Sequence, residues 1–254
     1  MDPITIVGLI ISFSAILTMM TLEGVSPVQV ILPAPMIVVL GGTWGAGLGG
    51  LVKADIALII QSVIKAFTGK IPDPSGTIEE VVALAERARR EGLLALEDAV
   101  SGISNEFLKE GLQAAIDGTD PEDLNNILLD KVEAKRSNDK VGSKFFSDMA
   151  ALAPTMGIIG TVISLVHVLG NLADPGALGP LIAAAFVATL WGLMTANAIY
   201  LPLSNRLKRI SEVEIAGMTV VVEGILAIQS GANPRVVQQR LTSLVPQKAQ
   251  KAAA

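Results

Sequence analysis

The 254-residue chain has no cysteine, one histidine, one tyrosine and two tryptophans. Without cysteine there is neither a disulfide framework nor a thiolate metal site. So few imidazole and aromatic groups leave little material for acid–base catalysis or base stacking, and no residue stands out as catalytic. A net charge of −5 argues against a nucleic-acid partner, which calls for a concentrated basic surface. Alternating strand patterns and internal repeats are missing too. The most informative absence is local. Met1–Val52 and Phe145–Asn205 hold no Lys or Arg, and all 19 basic residues fall in Lys53–Lys144 and Arg206–Lys251. The acids in the two bare stretches are Asp2, Glu23, Asp148 and Asp174, all at or near the ends of apolar runs.

What remains is apolar. Hydrophobic residues make up 51% of the chain and charged ones 17%, with a mean hydropathy of +0.57, outside the range of an ordinary soluble domain. A charge at the bilayer centre costs roughly 3 kcal/mol or more, so long uncharged runs mark membrane spans. Four runs can cross about 30 Å of hydrocarbon at ~1.5 Å per residue: Ile4–Leu22, Ala34–Val52, Met149–Leu172 and Ala177–Leu201. The N-terminus has no basic n-region or small-residue cleavage site, so the first run reads as a retained span. The positive-inside rule puts both basic blocks, and with an even span count both termini, in the cytoplasm. The expected fold is an all-α membrane protein with four transmembrane helices. Its expected domains are 1–52 (spans 1 and 2), 53–148 (cytoplasmic helices), 149–203 (spans 3 and 4) and 204–254 (cytoplasmic helix and tail).

The central segment reads as helical throughout. Asp55–Phe67 is amphipathic, Gly69–Gly76 is a turn cluster, and Thr77-x-x-Glu80 has the form of a capping box for a helix reaching Arg90. Gly92, Gly102, Gly111 and Gly118 are expected to punctuate shorter helices. Thr119-Asp-Pro121 reads as a cap with proline at the first helical position, opening a long helix that can continue into the third span. Leu203–Gln229 has the pattern of a helix leaving the membrane, and Pro246–Ala254 reads as disordered.

No span carries a charged group away from its ends. A proton pathway normally needs a titratable group inside the membrane, so if this chain conducts ions a partner must supply the acid. His167, near the outer end of the third span, reads as a packing or interfacial residue. Small and hydroxyl residues do recur at helical spacing: Pro154, Gly157, Thr161 and Ser164 on the third span, and Ala185, Thr189, Gly192 and Ala196 on the fourth. Close helix packing explains such a stripe, and it competes evenly with other roles for the glycines of Gly41–Gly50. For Thr161 and Thr189 a pore-facing role is favoured, because a hydroxyl can coordinate a passing cation or hold water.

Five stretches carry a resemblance: Pro35-x5-Gly41-Gly-Thr-Trp-Gly-Ala46, Ala88-Arg-Arg-Glu-Gly-Leu-Leu-Ala-Leu-Glu97, Pro154-Thr-Met-Gly-Ile-Ile-Gly-Thr161, Ala188-Thr-Leu-Trp-Gly-Leu193, and Glu223-Gly-Ile-Leu-Ala-Ile-Gln-x-Gly-x-Asn-Pro-Arg235. With the span order, they make the chain resemble the A subunit of the bacterial flagellar stator, the MotA/PomA family. The resemblance implies a motility protein of the bacterial inner membrane, not an enzyme, that conducts protons or sodium ions and needs no cofactor. It implies five A subunits around two single-span B subunits of the MotB/PomB type, each bringing an essential Asp. It also implies coupling roles for Pro154 and Pro202, and contact of Arg89 and Glu97 with a rotor switch-complex protein. Without it, Arg89 and Glu97 would read as a solvated helix face. The ion stays open, since Thr161 suits sodium use but also occurs in proton users. The alternatives are a TolQ/ExbB-type envelope energiser, which usually has three spans, and a non-transporting membrane scaffold.

Overall fold

The computed structural model describes residues 3–69 and 74–245. The expected tail Pro246–Ala254, and part of the Gly69–Gly76 turn cluster, lie outside them. Every regular element among the described residues is helical. In chain order they are α1 (Pro3–Leu22), a 3₁₀ turn (Pro27–Val30), α2 (Pro33–Met36), a π-helical turn (Ile37–Gly41), α3 (Gly42–Gly49), α4 (Lys53–Thr68) and α5 (Pro74–Glu91). After a second 3₁₀ turn (Leu93–Leu96) come α6 (Glu97–Val100), α7 (Glu106–Ile116), α8 (Pro121–Gly170) and α9 (Pro175–Thr195). A second π-helical turn (Ala196–Tyr200), α10 (Leu201–Gln229) and α11 (Pro234–Ser243) complete the fold.

Among the described residues, three helical stretches are long and apolar enough to cross a membrane: α1, the apolar part of α8, and the continuous run from α9 into α10. The second apolar run is also helical, but it is built of three consecutive pieces and stops at Gly49. Chain contacts divide the molecule into two compact units, one of Met1–Lys70 with Asp139–Lys208, the other of Ile71–Asn138 with Arg209–Ala254.

In the first unit a small aromatic and aliphatic core gathers Ile59, Ala66, Phe145, Phe146, Met149, Ala153, Tyr200 and Leu203. Trp44, Phe145 and Phe146 stack edge to face, with centroids 5.9 and 5.5 Å apart. The question left open for the Gly41–Gly50 run divides by position. A Cβ on Gly42 would meet Met156, and one on Gly47 would meet Phe145 and Met149, so these two glycines seat side chains of α8. A Cβ on Gly41, Gly45 or Gly49 would meet nothing within 4 Å outside its own helix among the described residues. Arg206, the first basic residue after the fourth run, is buried. Its guanidinium donates to the carbonyls of Ala66 (2.7 Å) and Gly69 (3.1 Å) and to the Thr5 hydroxyl (2.8 Å). One side chain thereby caps the end of α4 and holds α1, using the fork of donors that distinguishes Arg from Lys.

The second unit is a conventional soluble-type core of Ile78, Val81, Leu84, Leu96, Leu108, Leu112, Leu124, Leu128, Val221 and Ile225. Its helix ends follow the glycines. Gly118 and Gly231 have φ of +84° and +66° and close α7 and α10 with paired backbone bonds (Gly118 N to Ala115 O and Thr119 N to Ala114 O; Gly231 N to Ile228 O and Ala232 N to Ala227 O). Asn233 then caps α11 by accepting from the Arg235 amide, with Pro234 at the first helical position. The Gly-x-Asn-Pro string is therefore a stop-and-restart signal. Upstream in the same motif, a Cβ on Gly224 would collide with Val81, Glu223 pairs with Arg240, and the Gln229 amide donates to Thr119 O at 2.7 Å.

Two local expectations need correction. The helix expected to begin at Thr77 already includes Pro74, so Thr77 lies inside α5 and no capping box forms there. Proline at the entry suits a position whose N–H has no intrahelical partner, and it outcompetes the threonine signal. Gly111 does not punctuate but sits within α7, where a Cβ would strike Ile225 and press on Leu128. The opening of α8 at Pro121 is as expected, with Asp120 accepting from the Glu122 amide at 2.9 Å.

Gly224→Val places branched carbons where Val81 already stands. Overpacking of this kind costs about 1–3 kcal/mol, so the thermal midpoint of the purified full-length variant should fall by several degrees. A midpoint equal to that of the parent would show that the contact is not tight.

Candidate functional site

The two small-residue stripes meet each other. On α8, Gly157 lies against the Ala188 carbonyl and the Cα atoms of Thr189 and Gly192. A Cβ on Gly192 would come within 2.7 Å of Ala153 O, 3.1 Å of Gly157 Cα and 3.3 Å of Pro154 Cα. Gly160 faces Ala188 in the same seam. Backbones approach this closely only where side chains are missing, which is how membrane helices associate without a hydrophobic driving force.

That approach brings Thr161 and Thr189 together. Their hydroxyls are directly hydrogen-bonded, and Thr161 Oγ1 also lies 3.0 Å from Gly157 O and 3.1 Å from Ala185 O. Both residues are partly buried. The result is a hydroxyl pair backed by two helix carbonyls, flanked by apolar side chains and without a carboxylate on either helix nearby. A hydroxyl that donates to a carbonyl keeps its lone pairs for another donor or a cation.

The other singled-out residues fall elsewhere. Pro154 lies inside α8, which continues unbroken through it. Pro202 follows the π-helical turn Ala196–Tyr200 and sits in the first turn of α10, where its missing N–H removes a bond to the preceding turn. His167 is exposed and, with Ser164, lines a groove of about 260 Å³ bounded by Ala34, Pro35, Val38 and Leu181. Arg89 and Glu97 are exposed at the end of α5 and the start of α6, and among the described residues neither has an ion-pair partner.

Two polar contacts were not anticipated. The Trp191 indole donates to Val30 O at 2.7 Å, tying α9 to the turn before α2. Thr43 is fully buried and donates to Val39 O. Both residues lie in the quoted motifs, but motif membership does not reveal a contact across 161 residues.

The model of the MotA/TolQ/ExbB proton channel family matches residues 99–219. Motility protein A of Bacillus subtilis is 36% identical over 253 residues, covering 98% of this chain and 92% of its own length. The chain belongs to the MotA/TolQ/ExbB family. The chemotaxis protein PomA of Vibrio alginolyticus is 32% identical over 95% of this chain and 94% of its own length. The flagellar MotAB stator complex from Bacillus subtilis superposes with a TM-score of 0.89 at 33% identity, covering 98% of each chain. The MotAB structure from C. jejuni gives 0.92 at 28% identity, covering 97% of this chain and 96% of that one. The family is one of channels, not enzymes, and the chain is a multi-pass membrane protein with the MotA stator fold.

The Gly157–Gly192 contact generates a test. Gly192→Val should abolish close α8–α9 packing, because the added carbons fall on backbone that cannot move aside. The expected reading is loss of folded protein from the membrane fraction, whereas Thr189→Ser should leave the amount unchanged. Normal amounts of Gly192→Val would show that the seam tolerates separation.

Proposed function

We propose that this chain is the A subunit of a flagellar motor stator, an ion-channel subunit that works with a B subunit of the MotB type to couple proton or sodium flow to torque on the rotor. The single observation that carries the ion-pathway reading is the joined hydroxyl pair of Thr161 and Thr189 in an apolar seam free of carboxylates. A channel built this way needs an acid from elsewhere, and a B-subunit helix with an Asp is the partner that supplies it.

The remaining assignments form one scheme. Four helical crossings, with the second made by α2, its π-helical turn and α3, put both termini and segments 53–148 and 204–254 in the cytoplasm of a bacterium. The confinement of every Lys and Arg to those segments supports that orientation. Five copies surround two B subunits. Thr161 and Thr189 face the B-subunit helices and line the ion path, and Pro154 and Pro202 couple ion passage to helix movement, supported by the missing hydrogen bonds at both prolines. Arg89 and Glu97 engage the rotor switch complex. Exposed ion pairs are worth about 0–1 kcal/mol, while one charge moving through 100 mV yields about 2.3 kcal/mol. Such contacts can be made and released at each step.

Thr161→Ala with Thr189→Ala should cut ion influx and swimming speed severely at unchanged membrane levels, and more so with sodium, which must trade hydration water for protein oxygens. Swimming at the parental speed would remove the threonines from the pathway. In a second experiment, proteoliposomes of the A subunit alone should pass no protons or sodium above background under an imposed potential, and flux should arise when the B subunit is added. Rapid selective flux without B would contradict the need for a partner's acid.

A further inference from the structure

Between Arg89 and Glu97 the chain makes a tight turn with an apolar side chain at its outside. Gly92 ends α5 with φ +88°, a conformation that L side chains rarely adopt. The next residues form the 3₁₀ turn Leu93–Leu96. With three residues per turn, positions i and i+3 lie on one side. Leu93 and Leu96 accordingly go inward, Leu96 with no exposed surface and Leu93 packed against the same core. Leu94 must then point away from that core. It is 72% exposed, the most exposed large apolar residue among the described residues of its unit.

Its neighbours are charged and free. Arg89 and Arg90 lie before it and Glu97 and Asp98 after it; all four are exposed, and among the described residues none forms an ion pair, whereas Arg87 is paired with Glu91. An apolar side chain set between separate positive and negative edges has the composition of a small interface centre with its rim. Among the described residues nothing requires this arrangement: a polar residue at position 94 would satisfy the same turn.

We infer that Leu94 is the apolar anchor of the rotor contact, inserting into a depression on the rotor protein between an acidic group that meets Arg89 and a basic group that meets Glu97. The inference rests on the reading of the rotor as the partner of Arg89 and Glu97. Long-range charge guides approach and fixes register, while the buried leucine slows release, since rim charges act mostly on association and desolvated groups on dissociation. The occupant is thereby specified by chemistry: a protein surface with an apolar dimple flanked by one carboxylate and one cation.

The test uses the full chain with its B subunit in a motile bacterium lacking its own A subunit. Torque per stator unit is read from speed steps of a tethered bead, which does not depend on protein abundance, and dwell time from exchange of fluorescent stator units. Ion influx of the purified A–B complex is measured in parallel. Leu94→Ala should shorten dwell roughly tenfold, the effect of losing one buried leucine on dissociation, and should lower torque per unit. Ion influx should stay unchanged, and Leu94→Met should recover most of the loss. If Leu94→Ala keeps dwell and torque within twofold of the parent while Arg89→Glu or Glu97→Arg lowers them, the anchor is overturned and the rotor reading stands. If none of the three substitutions has an effect, both are overturned. Loss of ion influx along with torque in Leu94→Ala would also overturn the anchor, placing Leu94 in the integrity of the complex instead.

Discussion

Gly157 and Gly192 permit α8 and α9 to meet backbone to backbone, and the polar chemistry of the apolar region depends on that contact. In water a helix pair gains from hiding apolar side chains, but in lipid the surroundings are as apolar as the side chains, and only close packing and hydrogen bonds distinguish the associated state. The glycines provide the first and the threonines the second. A side chain at 192 would meet the Ala153 carbonyl at 2.7 Å, and one at 157 would press on Ala188 O and on the Thr189 and Gly192 backbone at 3.1–3.4 Å, so larger residues there work against the approach that joins the hydroxyls. The same device operates at lower intensity elsewhere in this unit, at Gly42 beneath Met156 and Gly47 beneath Phe145 and Met149.

The second unit follows aqueous rules. Its core is built of large aliphatic side chains, and three of its ion pairs, Lys131 with Glu110, Lys135 with Glu214 and Arg240 with Glu223, connect different helices. Glycine is used here in two ways. Gly118 and Gly231 turn the chain through left-handed φ, and Gly111 and Gly224 admit Ile225 and Val81 from neighbouring helices. One residue type thus ends helices at some positions and joins them at others.

That double use explains where the sequence was readable. Whether a helix exists, and whether it is apolar, depends on composition summed over many residues, so α1, α8 and the α9–α10 run were legible from the distribution of Lys and Arg. The start of α8 was legible because Asp120 and Pro121 act within a single turn. The role of Gly111 was not, because a punctuating glycine and a packing glycine look alike until the partner helix, here α10, is in place. Thr77 misled for a related reason, since proline three residues earlier is an equally valid start. At the candidate site the stripes around Thr161 and Thr189 could be read from a period of three and four. Their mutual hydrogen bond could not, because period gives a face but not what it faces. The Trp191–Val30 bond and the triple contact of Arg206 share that limit: each joins residues more than 130 positions apart.

The Thr161 hydroxyl has one proton and three oxygen neighbours, Gly157 O, Ala185 O and Thr189 Oγ1. It can donate to only one of them at a time, so the same heavy-atom positions admit more than one proton arrangement. Turning an O–H bond from the neighbouring hydroxyl to a carbonyl redirects the local dipole without moving a carbon atom. A site with this freedom can present donors to an anion or water and lone pairs to a cation in succession, and the reorientation is a single-bond rotation, fast compared with any helix movement. The pair is in effect a fixed frame of oxygens within which two protons can be rearranged.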